Sequence, residues 1–227
     1  MRFGRLSPNQ TELASAHAHT FGVRLAQTVL NRQAVAFTPG LYHNDTLSDC
    51  TVVSVVNMIN AKSALNGYQT YIDSDKVVEF FKEAAGNPPD LTTVDGLVYL
   101  DVINRQAQLG FDTGHDRLYG LPGTVGLSRN ELALGMEEFG SVGLGVTLRD
   151  RDEQTTGPYS TLDAGPSDGN VIGGHAIIGW DYTGLGDNDI VRIGTWGYWQ
   201  MVTWRWIDAR IEEAHATSWP QLRVPCA

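Results

Sequence analysis

"NDTLSDCTVVSVVNMIN", residues 44–60, passes from polar, turn-forming residues into an apolar run at Cys50. The fold turns on whether that run is a helix or a strand. Four valines and an isoleucine within residues 50–59 suit a buried strand as well as a helix. Periodicity does not choose, because apolar residues fall on every side of a helical projection. Read as a helix, the segment puts Cys50 in the first turn with Ser48 or Asp49 as cap. There the helix dipole and unpaired amides favour a thiolate, while the neighbouring Asp49 charge opposes one. In both readings the segment lies at the centre of its domain, and Cys50 is either a reactive thiol or an inert core residue.

The chain around this segment has 227 residues, 42% of them hydrophobic, enough for one large domain with a substantial core. A formal charge of −10 argues against a nucleic-acid partner, since phosphate contacts need a basic surface. Two cysteines make no disulfide framework and no metal-type pair, and no cofactor is expected. The first twenty residues lack the apolar core of a signal peptide, and no apolar run has membrane-spanning length. These features point to a reducing cytoplasm, with no membrane partner.

Residues 1–40 carry no strong period, end at the turn signal "TPG", and read as an arm, with one short helix, lying over a domain that spans 41–227. Helical signals cluster after Cys50. "SDKVVEFFKEAAGNPP" opens on cap residues and stops at Gly86 and two prolines. Leu97, Leu100, Ile103 and Ala107 keep helical spacing up to Gly110. In "LSRNELALGMEEFG", Ser128 and Glu131 form a capping box, Leu127 and Leu132 a hydrophobic staple, and Gly140 the stop. Past residue 140 the period becomes two. "SVGLGVTLR", "GHAIIGWDY" and "DIVRIGTWG" read as strands, the last two joined as a hairpin. Residues 150–172 read as a long acidic loop, either a lid, a partner surface or a plain solvated loop. "TWRWIDARIEEAHA" reads as a closing helix. Helices followed by antiparallel strands make an α+β domain.

A nucleophilic thiol needs a base, and His175 opens a strand behind two glycines in "GGHAIIGWDY". A Cys at a helix start and a His on a later strand is the order of papain-like thiol hydrolases. "GGHAIIGWDY" resembles that superfamily's histidine strand, "GTWGYW" its "NSWG-x-x-W" segment, and "DCTVVSVVNMI" its Cys-led central helix. The resemblance selects the helix for residues 50–60 and implies a papain-like fold, with the Cys-bearing helix packed on an antiparallel sheet. Four blocks in order, "NDTLSDCTVV", "YLDVINRQAQLGF", "GGHAIIGWDY" and "VTWRWIDARIEEAHA", are further similar to papain-like proteins encoded by tailed bacteriophages and prophages.

Carried over residue by residue, the resemblance implies Cys50 as nucleophile and His175 as general base and acid. Asn44, six positions before the Cys, stands where the family has an oxyanion-binding glutamine. The family's imidazole-orienting Asn aligns with Gly194, which cannot orient a ring, and Thr195 follows it in the serine place. Asp181 lies too far along the strand to substitute. A Cys–His dyad is therefore expected, with the third role left to Thr195, a backbone carbonyl or nothing. Trp196 is assigned to shield the pair, and Trp199, Trp204 and Trp206 to core or interface. Among the residues outside this set, His17 and His19 read as a solvated arm rather than a metal pair, His43 as a surface residue, Asp45 and Asp49 as ligands of turn amides, and Cys226 as a free tail thiol.

Two functions follow as expectations. One is a phage-derived cysteine hydrolase of peptide or amide bonds, acting on a peptide or protein substrate. The other is a catalytically idle virion or assembly protein that docks on neighbouring virion subunits. The location is host cytoplasm or virion.

Overall fold

The computed structural model describes residues 3–7, 9, 11–12, 16, 18–19 and 21–222; His17 and Cys226 lie outside them. Residues 44–60 do run into a helix, α1 (Cys50–Leu65). Every position from Cys50 to Ala61 is buried, which is why no amphipathic period marks it. Around it stand α2 (Ser74–Ala84) and α3 (Tyr99–Leu109), whose Val77, Phe81, Val102 and Ile103 fill one core with Val52, Val56 and Ile59.

That core closes on a seven-stranded sheet. Its strands are β5 (Leu121–Thr124), β6 (Val142–Arg149), β7 (Thr161–Leu162), β8 (Val171–Tyr182), β9 (Ile190–Thr195), β10 (Tyr198–Thr203) and β11 (Ile211–Ser218), in the order β5-β11-β6-β8-β9-β10-β7. All its pairings are antiparallel except β10 with the short edge strand β7. On β8, Ala176, Ile178 and Trp180 belong to the α1 core, and Ile177 to a second core. The second core holds Leu132 and Met136 of α4 (Arg129–Phe139) and Trp206 and Ile207 of α6 (Trp204–Arg210). The fold is α+β, as the order of elements predicts.

The local signals for α2 and α4 hold, and those for α3 hold except that Leu97 lies in β2 (Leu97–Val98), ahead of the helix start at Tyr99. Ser128 Oγ accepts from Glu131 N and donates to the Glu131 carboxylate, and Gly140 caps α4 at φ 96°. Three expectations change. The segment 150–172 is not all loop: it contains α5 (Asp150–Thr155) and β7. Its Asp152 is buried and accepts from Arg210 Nε at 2.8 Å and Trp206 Nε1 at 2.8 Å, so an acidic stretch is pinned by buried partners from α6. The closing helix ends at Arg210, and "IEEAHATS" continues as β11, between β5 and β6. Finally, Tyr198–Thr203 forms a strand, turned back from β9 by Trp196 and Gly197 at φ 42° and 80°. Two consecutive positive φ values in a two-residue loop are the hairpin geometry that matches strand twist.

The described residues among the first forty run across the sheet and its helices. Residues 21–40 form no helix; Leu30 bridges to Tyr182, and Arg32 donates to the Trp180 carbonyl at 2.9 Å and the Met136 carbonyl at 2.7 Å. Nearer the start, β1 (Arg5–Leu6) pairs in parallel with β2 (Leu97–Val98), just ahead of α3. A small hairpin, β3 (Phe111–Asp112) with β4 (Arg117–Leu118), completes the helical side.

Candidate active site

Cys50 opens α1 and is wholly buried. Its Sγ accepts a hydrogen bond from the amide of Ala176 at 3.4 Å, so the sulfur lies against the residue that follows His175 on β8. The thiol thus lies against the start of β8, one residue along from His175, and His175 Nδ1 has no hydrogen-bond partner among the described residues.

The other ring nitrogen is held. His175 Nε2 lies 2.8 Å from Thr195 Oγ1. Register explains the pairing of roles: Gly194 faces Ile178 across β8–β9, and successive side chains on a strand point to opposite faces. A Cβ at Gly194 would sit 2.8 Å from Pro39 Cγ and 2.9 Å from Ile178 Cγ1, in a filled space. Thr195, next along, reaches the imidazole. Trp196 stacks on His175 with ring centroids 4.3 Å apart and planes 11° apart. A tryptophan at φ 42° is an uncommon conformation, held here over the imidazole by the hairpin turn and the stack. Asp181 is committed elsewhere, accepting from Arg192 Nε at 3.0 Å and Arg32 N at 3.0 Å.

Asn44 is buried in a run of turns before α1, where its amide N donates to the Leu41 carbonyl at 3.0 Å and its side-chain carbonyl has no partner. Tyr42 and His43 take positive φ in that run, and His43 is exposed. Asp49 departs from expectation. It is the N-cap residue of α1 by position, yet neither carboxylate oxygen has a hydrogen-bond partner among the described residues. Burial, with a smaller contribution from Asp45, pushes its pKa up to about 8.

This has a consequence for stability. A carboxyl that holds its proton to about pH 8 when folded, against 3.8 when unfolded, binds more protons in the native state between those values, so stability falls as pH rises through that window. Asp49→Asn, close in shape to the protonated acid, is expected to match the parent below about pH 4 and to exceed it by on the order of 5 kcal/mol above pH 8. Urea unfolding at both ends of the range checks this; parallel curves for the two proteins would overturn it.

The thiol and imidazole are in their neutral forms. Burial pushes the Cys50 thiol up to about 12, against smaller opposing effects of the Ala176 and Gly4 backbone. Burial, then the Arg5 guanidinium, pushes His175 down to about 3. The helix N-terminus does not produce a thiolate here, because the loss of solvent outweighs it.

What removes the solvent is residues 3–6: the sequence suggests an arm over the domain, but not that it passes over the thiol. Leu97 N donates to the Gly4 carbonyl at 2.8 Å, and β1 continues the contact along β2. The Phe3 ring stands edge-on to His175, centroids 6.4 Å apart. The approach is backbone to backbone: a Cβ on Gly4 would lie 2.0 Å from the Ser48 carbonyl oxygen, and one on Gly174 2.4 Å from the Arg5 carbonyl oxygen. Residues 3–6 therefore roof the groove between the N-terminus of α1 and the start of β8. The glycines before His175 are legible afterwards as the mark of that close contact.

No family model matches the sequence, and neither does any curated protein sequence. Solved structures do match. Xylellain, a cysteine protease from Xylella fastidiosa, superposes with a TM-score of 0.71 at 10% identity, over 95% of each chain. Procathepsin B S9 from Trypanosoma congolense gives 0.68 at 12% identity, over 96% of this chain and 86% of that one. Digestive procathepsin L 3 of the Tenebrio molitor larval midgut gives 0.64 at 10% identity, over 88% and 73%. The chain has the papain-like fold.

Proposed function

We propose that the protein is a cysteine hydrolase of peptide or amide bonds, of phage origin, with Cys50 as nucleophile and His175 as general base and acid. The observation that carries this reading is the state of the imidazole. One nitrogen is fixed by Thr195, one face is covered by Trp196, and the other nitrogen is unpartnered beside the residue whose amide holds the sulfur. With Nε2–H donating to Thr195 Oγ1, the Nδ1 lone pair is the base. It takes the thiol proton as sulfur attacks the carbonyl carbon, and returns it to the leaving amine. The resulting oxyanion is met by the Cys50 amide, one of the first-turn donors that a helix leaves unpaired, and by the Asn44 side-chain amide. Thr195 is a positioning residue in this scheme. The origin rests on the four sequence blocks shared with phage-encoded papain-like proteins.

The roof over the thiol makes the described form a resting one. Hydrolysis of unstructured peptides is therefore expected from a chain whose roof is displaced, such as Gly4→Val, and its complete loss when Cys50→Ala or His175→Ala is added. A Gly4→Val protein that alkylates at Cys50 but hydrolyses nothing would overturn the proposal. The sealed thiol also favours a second reading, an idle papain-fold virion or assembly protein docked on neighbouring subunits. Stoichiometric copies in purified virions, found by mass spectrometry, would support it; absence from them removes it.

A further inference from the structure

The side chain of Arg5 leaves the roof and enters the domain. Its guanidinium is fully buried. Nη1 donates to Glu213 Oε1 at 2.8 Å, while Nη2 pairs with the Glu212 carboxylate and donates to the Val146 carbonyl at 3.4 Å. To arrive there the side chain crosses β6 at Gly145, whose missing Cβ would lie 3.0 Å from Arg5 Cδ and 2.5 Å from Glu213 Cγ. Behind it, Glu213 Oε2 is bonded to His215 Nε2 at 2.8 Å, so the carboxylate is set from both sides.

Strand register makes this slot a neighbour of the catalytic pair. His175 stands opposite Val146, Val146 opposite Ile211, and Gly145 opposite Glu213. The Arg5 charge is felt by both Cys50 and His175. An arginine delivered by an extended main chain that passes over the thiol thus finds two carboxylates and a carbonyl arranged for a planar fork of donors, an arrangement a lysine ammonium matches less well.

We propose that the slot filled by Arg5 is the side-chain-selecting pocket of this hydrolase, and that its substrates are polypeptides carrying arginine beside the bond to be cleaved, with Glu213 and Glu212 as the selecting residues. Arg5 is then the chain's own occupant of the place a substrate arginine takes. This rests on the hydrolase reading for its use, though not for its binding chemistry.

The test has two arms, both on the full chain. In the first, Arg5→Ala is melted in ethylguanidinium chloride and in ethylammonium chloride of equal ionic strength. Ethylguanidinium is expected to raise its melting temperature by about 3 °C, and to do so neither for the parent nor for Arg5→Ala/Glu213→Gln. If Arg5→Ala does not fold in buffer, recovery of folded protein only with ethylguanidinium is the supporting result. Equal effects of the two salts would overturn the pocket. In the second, Gly4→Val is offered quenched peptides that differ only by Arg, Lys or Leu at one position. The Arg peptide is expected to be cleaved at least about thirtyfold faster in kcat/KM than the Leu peptide, with the ratio collapsing on Glu213→Gln. Equal rates overturn the pocket and leave the hydrolase; no cleavage of any peptide overturns the hydrolase, and the melting arm then decides the pocket.

Discussion

Gly4→Val is expected to turn an inert thiol into a reactive one, with alkylation of Cys50 by iodoacetamide at pH 7.5 rising about three orders of magnitude over the parent. The substitution places carbon atoms where the Ser48 carbonyl already stands, and that carbonyl belongs to the backbone entering α1, which cannot retreat without unpacking the helix start. The roof must leave instead. Once water reaches the sulfur, the cause of its raised pKa is gone, and a fall from about 12 towards the ordinary value near 8.5 multiplies the thiolate present by about that factor. The domain is expected to remain folded but less stable, because both cores are built largely from residues 50–222 while detaching residues 3–6 strips the buried Glu213 carboxylate of its Arg5 partner. Mass spectrometry of the alkylated protein over a pH series, with circular dichroism beside it, reads both outcomes. A Gly4→Val protein that is folded and no more reactive than the parent would show that the roof does not govern the thiol.

The second large effect concerns Thr195. Thr195→Val keeps the shape and removes the oxygen that lies 2.8 Å from His175 Nε2. The imidazole then loses the partner that fixes its tautomer and angle, and kcat in the Gly4→Val background is expected to fall about a hundredfold with KM little changed. Thr195→Ser should recover most of the loss, since the hydroxyl returns. Gly194→Asn should recover none, although sequence alignment puts the orienting residue there. Its side chain would enter the space held by Pro39 and Ile178, at a cost of about 1–3 kcal/mol in stability. A Thr195→Val enzyme with undiminished kcat would mean that packing under Trp196 alone holds the ring.

The ends of α2 and α4, the turn glycines and the two-residue period were readable, because each is a local matter. α4 could be drawn from its capping box and its terminal Gly140 without knowing anything else of the chain. The order of elements and the shared blocks then gave the papain-like arrangement. The failures have one physical form. Glu212 and Glu213 look like the polar face of a helix, and they are strand residues whose charges are met by Arg5, over two hundred positions earlier in the chain. Asp152, in a stretch that looks solvated, is buried against Arg210 and Trp206. Charge met by a distant partner leaves no periodic trace. An arm over the domain is legible in the sequence, but its course over the thiol is not, for the same reason: "FGRL" has no pattern of its own, and its fit to the groove is written in Gly174 and Ser48. Of the proposed site residues, Cys50, His175 and Asn44 are picked by type and order in the sequence, whereas the contact of Thr195 with the ring follows from the β8–β9 register.

The groove's width has a bearing on which proteins such an enzyme could attack. Its walls admit a main chain at a point where even one methyl group on the occupant would collide with the Ser48 carbonyl. A helix, or a loop braced by its own hydrogen bonds, is too thick to thread that gap. Frayed termini and unstructured stretches are thin enough where they offer a glycine at that point, so selection would fall on the local looseness of a target together with its want of a side chain there, and well-folded neighbours in the same compartment would be spared by their girth.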